Sequence, residues 1–132
     1  MNSRIKRRKF GQNYLKDKAV LFEMGSYINP KQNDSFIEIG PGRGALTEQI
    51  NKKNINVLAV DIDEGNISYL REKYNGPANL KFIESDFLKF ILPRDSQSLR
   101  VVGNLPYNIS TQIILKLIND YQIIDDMHFL VQ

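Results

Sequence analysis

The sequence predicts an α/β fold in which helices cover both faces of a parallel β-sheet. Short strand-like runs alternate with segments of helical periodicity, which calls for parallel strands joined by right-handed crossovers. Glycine or polar residues stand where several of the strands end, the position at which open α/β sheets bind ligands. With 132 residues, 42% hydrophobic and 25% charged, the chain has the size and composition of a single domain.

The chain up to residue 53 supplies two helices and one strand. Apolar residues at helical spacing predict a helix over 18–29, which ends before Pro30. The apolar run 35–39 predicts the first strand, and GPGRG ends it. A second helix is predicted over 45–53 from the four-residue spacing of Leu46 and Ile50.

The same alternation continues over the next thirty residues. NVLAVDID predicts the second strand over 56–63, and LKFIES the third over 80–85. Between them, residues 64–75 predict a third helix, closed near Gly76, in which Tyr69, Leu70 and Tyr74 are expected to be core.

The last part of the chain predicts two strands around one helix. RVVGN gives the fourth strand over 100–104, STQIILKLINDY a helix over 110–121, and MHFLVQ the fifth strand over 127–132. His128, the only histidine, lies in this apolar strand, so we expect a packed or edge position and not a catalytic one.

Positive charge is concentrated at the N-terminus. Residues 1–18 carry a net charge of +6 and the remaining residues −3. Clustered Lys and Arg favour contact with a phosphate backbone because binding releases condensed counterions, although a merely solvated terminus is the alternative. The predicted phosphate contacts are Arg4, Lys6, Arg7, Arg8 and Lys9.

The composition argues against several other classes of protein. No window approaches the roughly 20 apolar residues of a membrane span, and the basic N-terminus lacks the apolar core of a signal peptide. The absence of cysteine argues against disulfides and thiolate metal sites, so we expect a cytoplasmic location, no membrane partner and no metal.

A glycine-rich loop follows the first strand. It fits the dinucleotide fingerprint G-x-G-x-x-G/A through Gly40, Gly42 and Ala45. Asp61 follows at about the distance expected for an acid that binds ribose hydroxyls. This pattern fits NAD and S-adenosylmethionine equally, and a plain strand-to-helix turn is also compatible with it. Pro41 removes an N–H that could bind a pyrophosphate, and Asp86 could accept a hydrogen bond from an adenine amino group.

The segment VVGNLPY (101–107) predicts a site for a base amine. An amide oxygen of Asn104 and a backbone carbonyl of Leu105 or Pro106 could accept its N–H groups and aim its lone pair at a methyl group, while Tyr107 offers a stacking face worth about 1 to 3 kcal/mol per base. Asn cannot take a proton at neutral pH, so the predicted role is positioning and polarisation, with the proton lost to solvent. A strand that ends in a Pro-Tyr turn is the alternative interpretation.

Six segments together resemble the ribosomal RNA adenine N6-dimethyltransferases in order and spacing, nearest to the members that act on small-subunit RNA. They are KFGQNYL (9–15), EIGPGRGALT (38–47), VDID (60–63), ESDFLKF (84–90), VVGNLPYNIST (101–111) and DMHFLVQ (126–132). The resemblance implies a Rossmann-like, class I S-adenosylmethionine-dependent methyltransferase fold. It also implies dimethylation of adenosines in 16S rRNA of the small ribosomal subunit, with S-adenosylmethionine as cofactor.

The resemblance also implies roles for individual residues. Asp61 would hold the cofactor ribose and Asp86 its adenine, while Leu105, Pro106 and Tyr107 would hold the target adenine. The implied cofactor contacts are Gln12, Asn13, Leu15, Gly40, Gly42, Asp61, Ile62, Asp86, Phe87 and Asn104. Residues 1–18 would form a basic, RNA-binding arm that closes over the cofactor, and 19–132 the methyltransferase domain of a monomer.

Two departures from the family pattern bear on these expectations. Asp61 stands where many members carry Glu, which shortens the reach of the carboxylate. The family fold continues through a hairpin and a helical domain that grips RNA; if this chain is complete, the fold is truncated after the fifth strand, which becomes an exposed edge.

Three other functions stay open at this point. The macrolide-resistance methyltransferases share GN-x-PYNIST but modify large-subunit RNA. A non-catalytic RNA-binding module would need only the basic arm. An NAD-dependent dehydrogenase would bind NAD, yet no acid for hydride chemistry is apparent.

Overall fold

The computed structural model describes residues 17–52, 54–95 and 98–131, and confirms the predicted α/β fold. Its strands are β1 (Ser35–Ile39), β2 (Asn56–Asp61), β3 (Leu80–Glu84), β4 (Leu99–Asn104) and β5 (Ile124–Leu130). Its helices are α1 (Lys18–Ile28), α2 (Ala45–Ile50), α3 (Glu64–Lys73) and α4 (Ser110–Asn119), with 3₁₀ turns at Phe87–Lys89 and Tyr121–Ile123. The strands are all parallel, in the order β3-β2-β1-β4-β5.

A hydrophobic core lies on each face of the sheet. On one face, α1, α2 and α3 pack over strand residues such as Phe36, Ala59 and Val102. On the other face, α4 and the first 3₁₀ turn pack over Ile37 and Val101. Because the central strands are buried on both sides, β1 reads as an apolar run and not as an alternating pattern.

The strand order creates a switch point between β1 and β4. The chain proceeds outwards from β1 to β3 and then returns to place β4 on the other side of β1. The loops that leave β1 and β4 therefore turn to opposite faces of the sheet and leave a crevice at the carboxyl ends of these strands.

Local capping explains where the first and third helices begin. The Asp17 carboxylate accepts a hydrogen bond from Ala19 N at 2.9 Å, and Asp63 does the same for Gly65 N at 2.8 Å. These bonds satisfy amides that have no partner within the helix. Asn29 ends α1 in a left-handed conformation, with φ of 46°.

The structure differs from the predicted elements at several of their ends and in the burial of one residue. Strand β5 begins at Ile124 and not at 127, because Asp126 pairs with Arg100 of β4 at 2.9 Å and so has a reason to lie in the sheet. Helix α2 ends at Ile50, with Asn51 as its cap, instead of reaching 53. Tyr69, predicted to be core, is 37% exposed. Every helix within the described ranges is too short or too polar to cross a membrane.

Candidate functional site

The strand ends surround a cavity of about 260 Å³ at the carboxyl edge of the sheet. Gly40 after β1, Asp61 at the end of β2, Asp86 after β3 and Asn104 at the end of β4 all line it. Residues up to 64 positions apart in the sequence thus meet at one crevice, since the carboxyl ends of parallel strands share an edge of the sheet. Its volume is close to the lower limit of roughly 300 Å³ typical of small-molecule sites.

The glycine loop forms the floor beside β1. Gly40 and Gly42 adopt left-handed φ angles of 65° and 57°, a conformation that residues with a Cβ rarely adopt. Gly40 N donates a hydrogen bond to the Val60 carbonyl at 2.8 Å, and Gly42 N donates to Asp61 Oδ2 at 3.1 Å. The loop is therefore fixed to β2 by its own backbone.

Asp61 connects the loop, the end of β2 and helix α3. Its Oδ1 accepts from Asp63 N at 2.9 Å, and its Oδ2 accepts from Gly42 N and from Asn66 Nδ2, the latter at 3.3 Å. Burial raises the pKa of the Asp61 carboxyl, while these three hydrogen bonds oppose that shift. A carboxylate oxygen can accept two hydrogen bonds, so Oδ1 retains capacity for a ligand hydroxyl.

The segment after β3 supplies a wall of mixed polarity. Asp86 Oδ1 accepts from Leu88 N at 3.0 Å and so begins the 3₁₀ turn that positions Phe87. Phe87 is buried against Phe90, with ring centroids 6.0 Å apart, and lines the cavity. Ile62, which is 49% exposed, lines it from the end of β2.

The residues at the end of β4 lie in three different environments: the cavity, the hydrophobic core and solvent. Asn104 and Pro106 line the cavity. Leu105 is buried in the core, and its N donates to the Leu130 carbonyl at 2.9 Å, while Tyr107 is 60% exposed. Neither Leu105 nor Tyr107 is among the described residues that line the cavity. Leu105 could therefore contribute only backbone atoms to the binding of a ligand there.

Several predicted site residues lie outside the described part of the chain. They are the implied cofactor contacts Gln12, Asn13 and Leu15 and the implied RNA contacts Arg4, Lys6, Arg7, Arg8 and Lys9. Their roles stay predictions.

The sequence reasoning missed Glu38, a buried acid beside the glycine loop. Glu38 is 1% exposed, lines the cavity and accepts a hydrogen bond from Thr47 Oγ1 at 2.5 Å. Burial raises the pKa of its carboxyl to about 7, opposed by the Thr47 bond and assisted by the nearby Asp61. A glutamate in the middle of the apolar run SFIEI was the available signal.

The arrangement fits a nucleoside-containing ligand. A glycine loop allows close approach of the ligand, Asp61 can accept from ribose hydroxyls, and the Ile62 and Phe87 side chains provide apolar surface for a base. Within the described residues, no three His, Cys, Asp or Glu side chains are grouped so that they could hold a metal ion.

Comparison with known proteins matches this chain to a family. A family model described as "Ribosomal RNA adenine dimethylase" matches residues 3–132. The chain is 42% identical over 128 residues to ribosomal RNA small subunit methyltransferase A of Coxiella burnetii (strain RSA 493 / Nine Mile phase I), covering 96% of this chain and 50% of the relative. It is 44% identical over 129 residues to the protein of the same name from Pseudomonas fluorescens (strain Pf0-1), with 96% and 47% covered.

Two solved structures share the fold of this chain. The 23S rRNA methyltransferase ErmE matches with a TM-score of 0.78 and 26% identity, over 91% of this chain and 48% of that one. A dimethyladenosine transferase from Plasmodium falciparum matches with a TM-score of 0.74 and 30% identity, over 89% and 43%. The chain spans about half the length of the curated relatives it matches.

Proposed function

The chain belongs to the ribosomal RNA adenine dimethylase family, and from this premise we propose that it carries the cofactor-binding and methyl-transfer part of an enzyme that dimethylates N6 of adenosines in 16S rRNA, within the small ribosomal subunit or its precursor. The observation that carries the proposal is the meeting of Gly40, Asp61, Asp86 and Asn104 at one cavity. The family membership supports this reaction, and the position of each residue at the cavity supports a separate role for it.

The cofactor of this proposal is S-adenosylmethionine. Asp61 would accept hydrogen bonds from the ribose, and Asp86 would accept one from the adenine amino group. The backbone of Gly40 and Gly42 would lie against the methionine part, since both positions lack a Cβ that could obstruct it. Pro41 leaves the loop with one donor fewer for a pyrophosphate, which disfavours NAD.

Asn104 would position the target amine. S-adenosylmethionine, when bound, supplies a methyl group whose C–S bond electrons leave with sulfur as the amine lone pair forms the C–N bond. The Asn104 amide oxygen and a carbonyl of Leu105 or Pro106 would accept the N6 hydrogens and hold the lone pair in line. Because an amide has no basicity at neutral pH, the proton released from nitrogen passes to solvent.

The RNA would be held outside the cavity by exposed groups. Tyr107 is exposed beside the cavity-lining Pro106, where its ring is available for stacking on an extruded base. The basic residues 4–9 would contact phosphates, a role that predicts binding weakened steeply by salt.

Large-subunit RNA is the second candidate substrate. The likeness to the solved 23S rRNA methyltransferase, with a TM-score of 0.78, favours it, whereas relatives at 42% and 44% sequence identity carry small-subunit names. A non-catalytic RNA-binding role is the third possibility and predicts salt-sensitive RNA binding without methyl transfer.

The test supplies radiolabelled S-adenosylmethionine to this chain with under-methylated small subunits or with large-subunit RNA. We expect label in small-subunit RNA, lost in Asn104→Ala and retained in Asn119→Ala, the same substitution at an exposed position at the end of α4. Label only in large-subunit RNA would select the second candidate. Cofactor and RNA binding without label in either RNA would select the third.

A further inference from the structure

Glu38 is an ionisable group that the proposed methyl transfer does not use. It lies in the middle strand of the sheet, on the face shared with Phe36, Ala59 and Val102. Glu38 is among the residues that line the cavity, although only 1% of it is exposed. A buried carboxyl at the wall of a ligand cavity acts on the charge of whatever ligand enters, because the surrounding protein screens it poorly.

The surroundings of Glu38 leave its charge uncompensated by any described cation. Its hydrogen-bond partner is the neutral hydroxyl of Thr47. Cross-strand neighbours Ala59 and Val102 are apolar, and His128 lies one strand beyond Val102. Asp61 at the end of β2 and Tyr74 at the end of α3 interact electrostatically with Glu38. On the same face of the sheet, Arg100 lies over the Phe36 ring and is already paired with Asp34 and Asp126. The side chains that α1 packs into the same core are Leu21, Met24 and Ile28.

We propose that Glu38 is a charge-selective element of this cavity, whose ionised carboxylate favours the sulfonium form of the cofactor over the neutral thioether left after methyl transfer. The inference rests on the proposed function, since it takes S-adenosylmethionine as the ligand. The two ligands differ by one methyl group and one positive charge, and a carboxylate distinguishes them by that charge.

The expected size of the effect follows from electrostatics. At an effective dielectric constant of about 20, a unit charge within roughly 10 Å of the carboxylate would change binding by about 15-fold or more. Because the unliganded carboxyl has a pKa of about 7, a cation in the cavity lowers that pKa and releases a proton near neutral pH. The preference for the sulfonium should therefore rise severalfold between pH 6 and pH 8.

The experiment measures dissociation constants of S-adenosylmethionine and S-adenosylhomocysteine by isothermal titration calorimetry at pH 6, 7 and 8. The unsubstituted protein should show the increase in selectivity, and Glu38→Gln should show a constant, lower selectivity. Both proteins see the same titration of the ligand amino groups, so the comparison between them removes that contribution. Glu48→Gln, the same change at a half-exposed side chain next to Thr47, should behave as the unsubstituted protein does.

Thr47→Val provides an independent variant if Glu38→Gln does not fold. It removes the hydroxyl that stabilises the carboxylate, so the rise in selectivity should move to higher pH. Equal selectivity at all pH values in the unsubstituted protein and in Glu38→Gln would overturn this inference alone. Failure of the unsubstituted protein to bind either ligand would overturn the proposed cofactor and the inference together.

Discussion

Replacing Glu38 by glutamine should reveal how much stability the buried carboxyl costs the folded protein as pH rises. The folded-state pKa of about 7 lies above the ordinary value of 4.5. Between these two pH values the folded protein holds a proton that the unfolded chain has lost. Glu38 therefore makes a contribution to the free energy of unfolding that is fully present below about pH 4.5 and is lost as pH rises through about 7. Glutamine is neutral at every pH and can still accept the Thr47 hydrogen bond.

The magnitude follows from the size of the pKa shift. Each pKa unit corresponds to about 1.4 kcal/mol, so the ionised carboxyl costs the folded protein about 3 kcal/mol. Between pH 5 and pH 8 the unsubstituted protein should lose about 2.5 kcal/mol through this group, and Glu38→Gln should not. The free energy of unfolding of Glu38→Gln minus that of the unsubstituted protein should rise by that amount.

Urea unfolding followed by far-UV circular dichroism at pH 5, 6, 7 and 8 measures this difference. Subtracting the two proteins cancels the titrating groups that do not interact with Glu38. Glu48→Gln is the control, since it makes the same change at a side chain that is 55% exposed. A difference that is constant across this range, or that falls with pH, would refute the account of Glu38 as a buried acid with a raised pKa.

Two further substitutions test the sheet that supports the site. Arg100→Ala removes a largely buried guanidinium that binds Asp126 at 2.9 Å, so we expect the free energy of unfolding in urea to fall by about 3 kcal/mol. The control is Arg94→Ala, whose side chain is 59% exposed. A decrease for Arg100→Ala no larger than that of the control would contradict this expectation. Gly103→Ala would place a Cβ 2.7 Å from the Ile39 carbonyl oxygen and so force β1 and β4 apart. We expect the free energy of unfolding in urea to fall by roughly 1 to 3 kcal/mol. An unchanged free energy of unfolding would show that the two strands can separate freely.

The elements of the fold could be predicted because their signals are local. Apolar runs, helical spacing and the Pro30 and Gly76 breaks each lie within a few residues of the element they define. The wrong start of β5 shows the limit of this reasoning. The predicted strand begins after Asp126, but Asp126 is stabilised in the sheet by Arg100, which is 26 residues away.

The candidate site was predictable to the level of strand ends. Residues that interrupt an apolar run, such as Asp61 and Asn104, mark positions where the chain leaves the sheet, and in a parallel sheet these positions converge. The direction of each side chain there was not predictable. Leu105 turns into the core and Tyr107 into solvent because packing against neighbouring elements, and not spacing along the chain, decides which way a turn residue points.

The sequence by itself determined the alternation of strands and helices, the parallel sheet, the loops at its carboxyl edge and the family. Only the tertiary structure decided the environment of Glu38. A glutamate in an apolar strand has no predictable partner, since Thr47 belongs to the following helix and Asp61 to the next strand. Burial and the charges of neighbours set the ionisation of a group, and both depend on how distant segments pack.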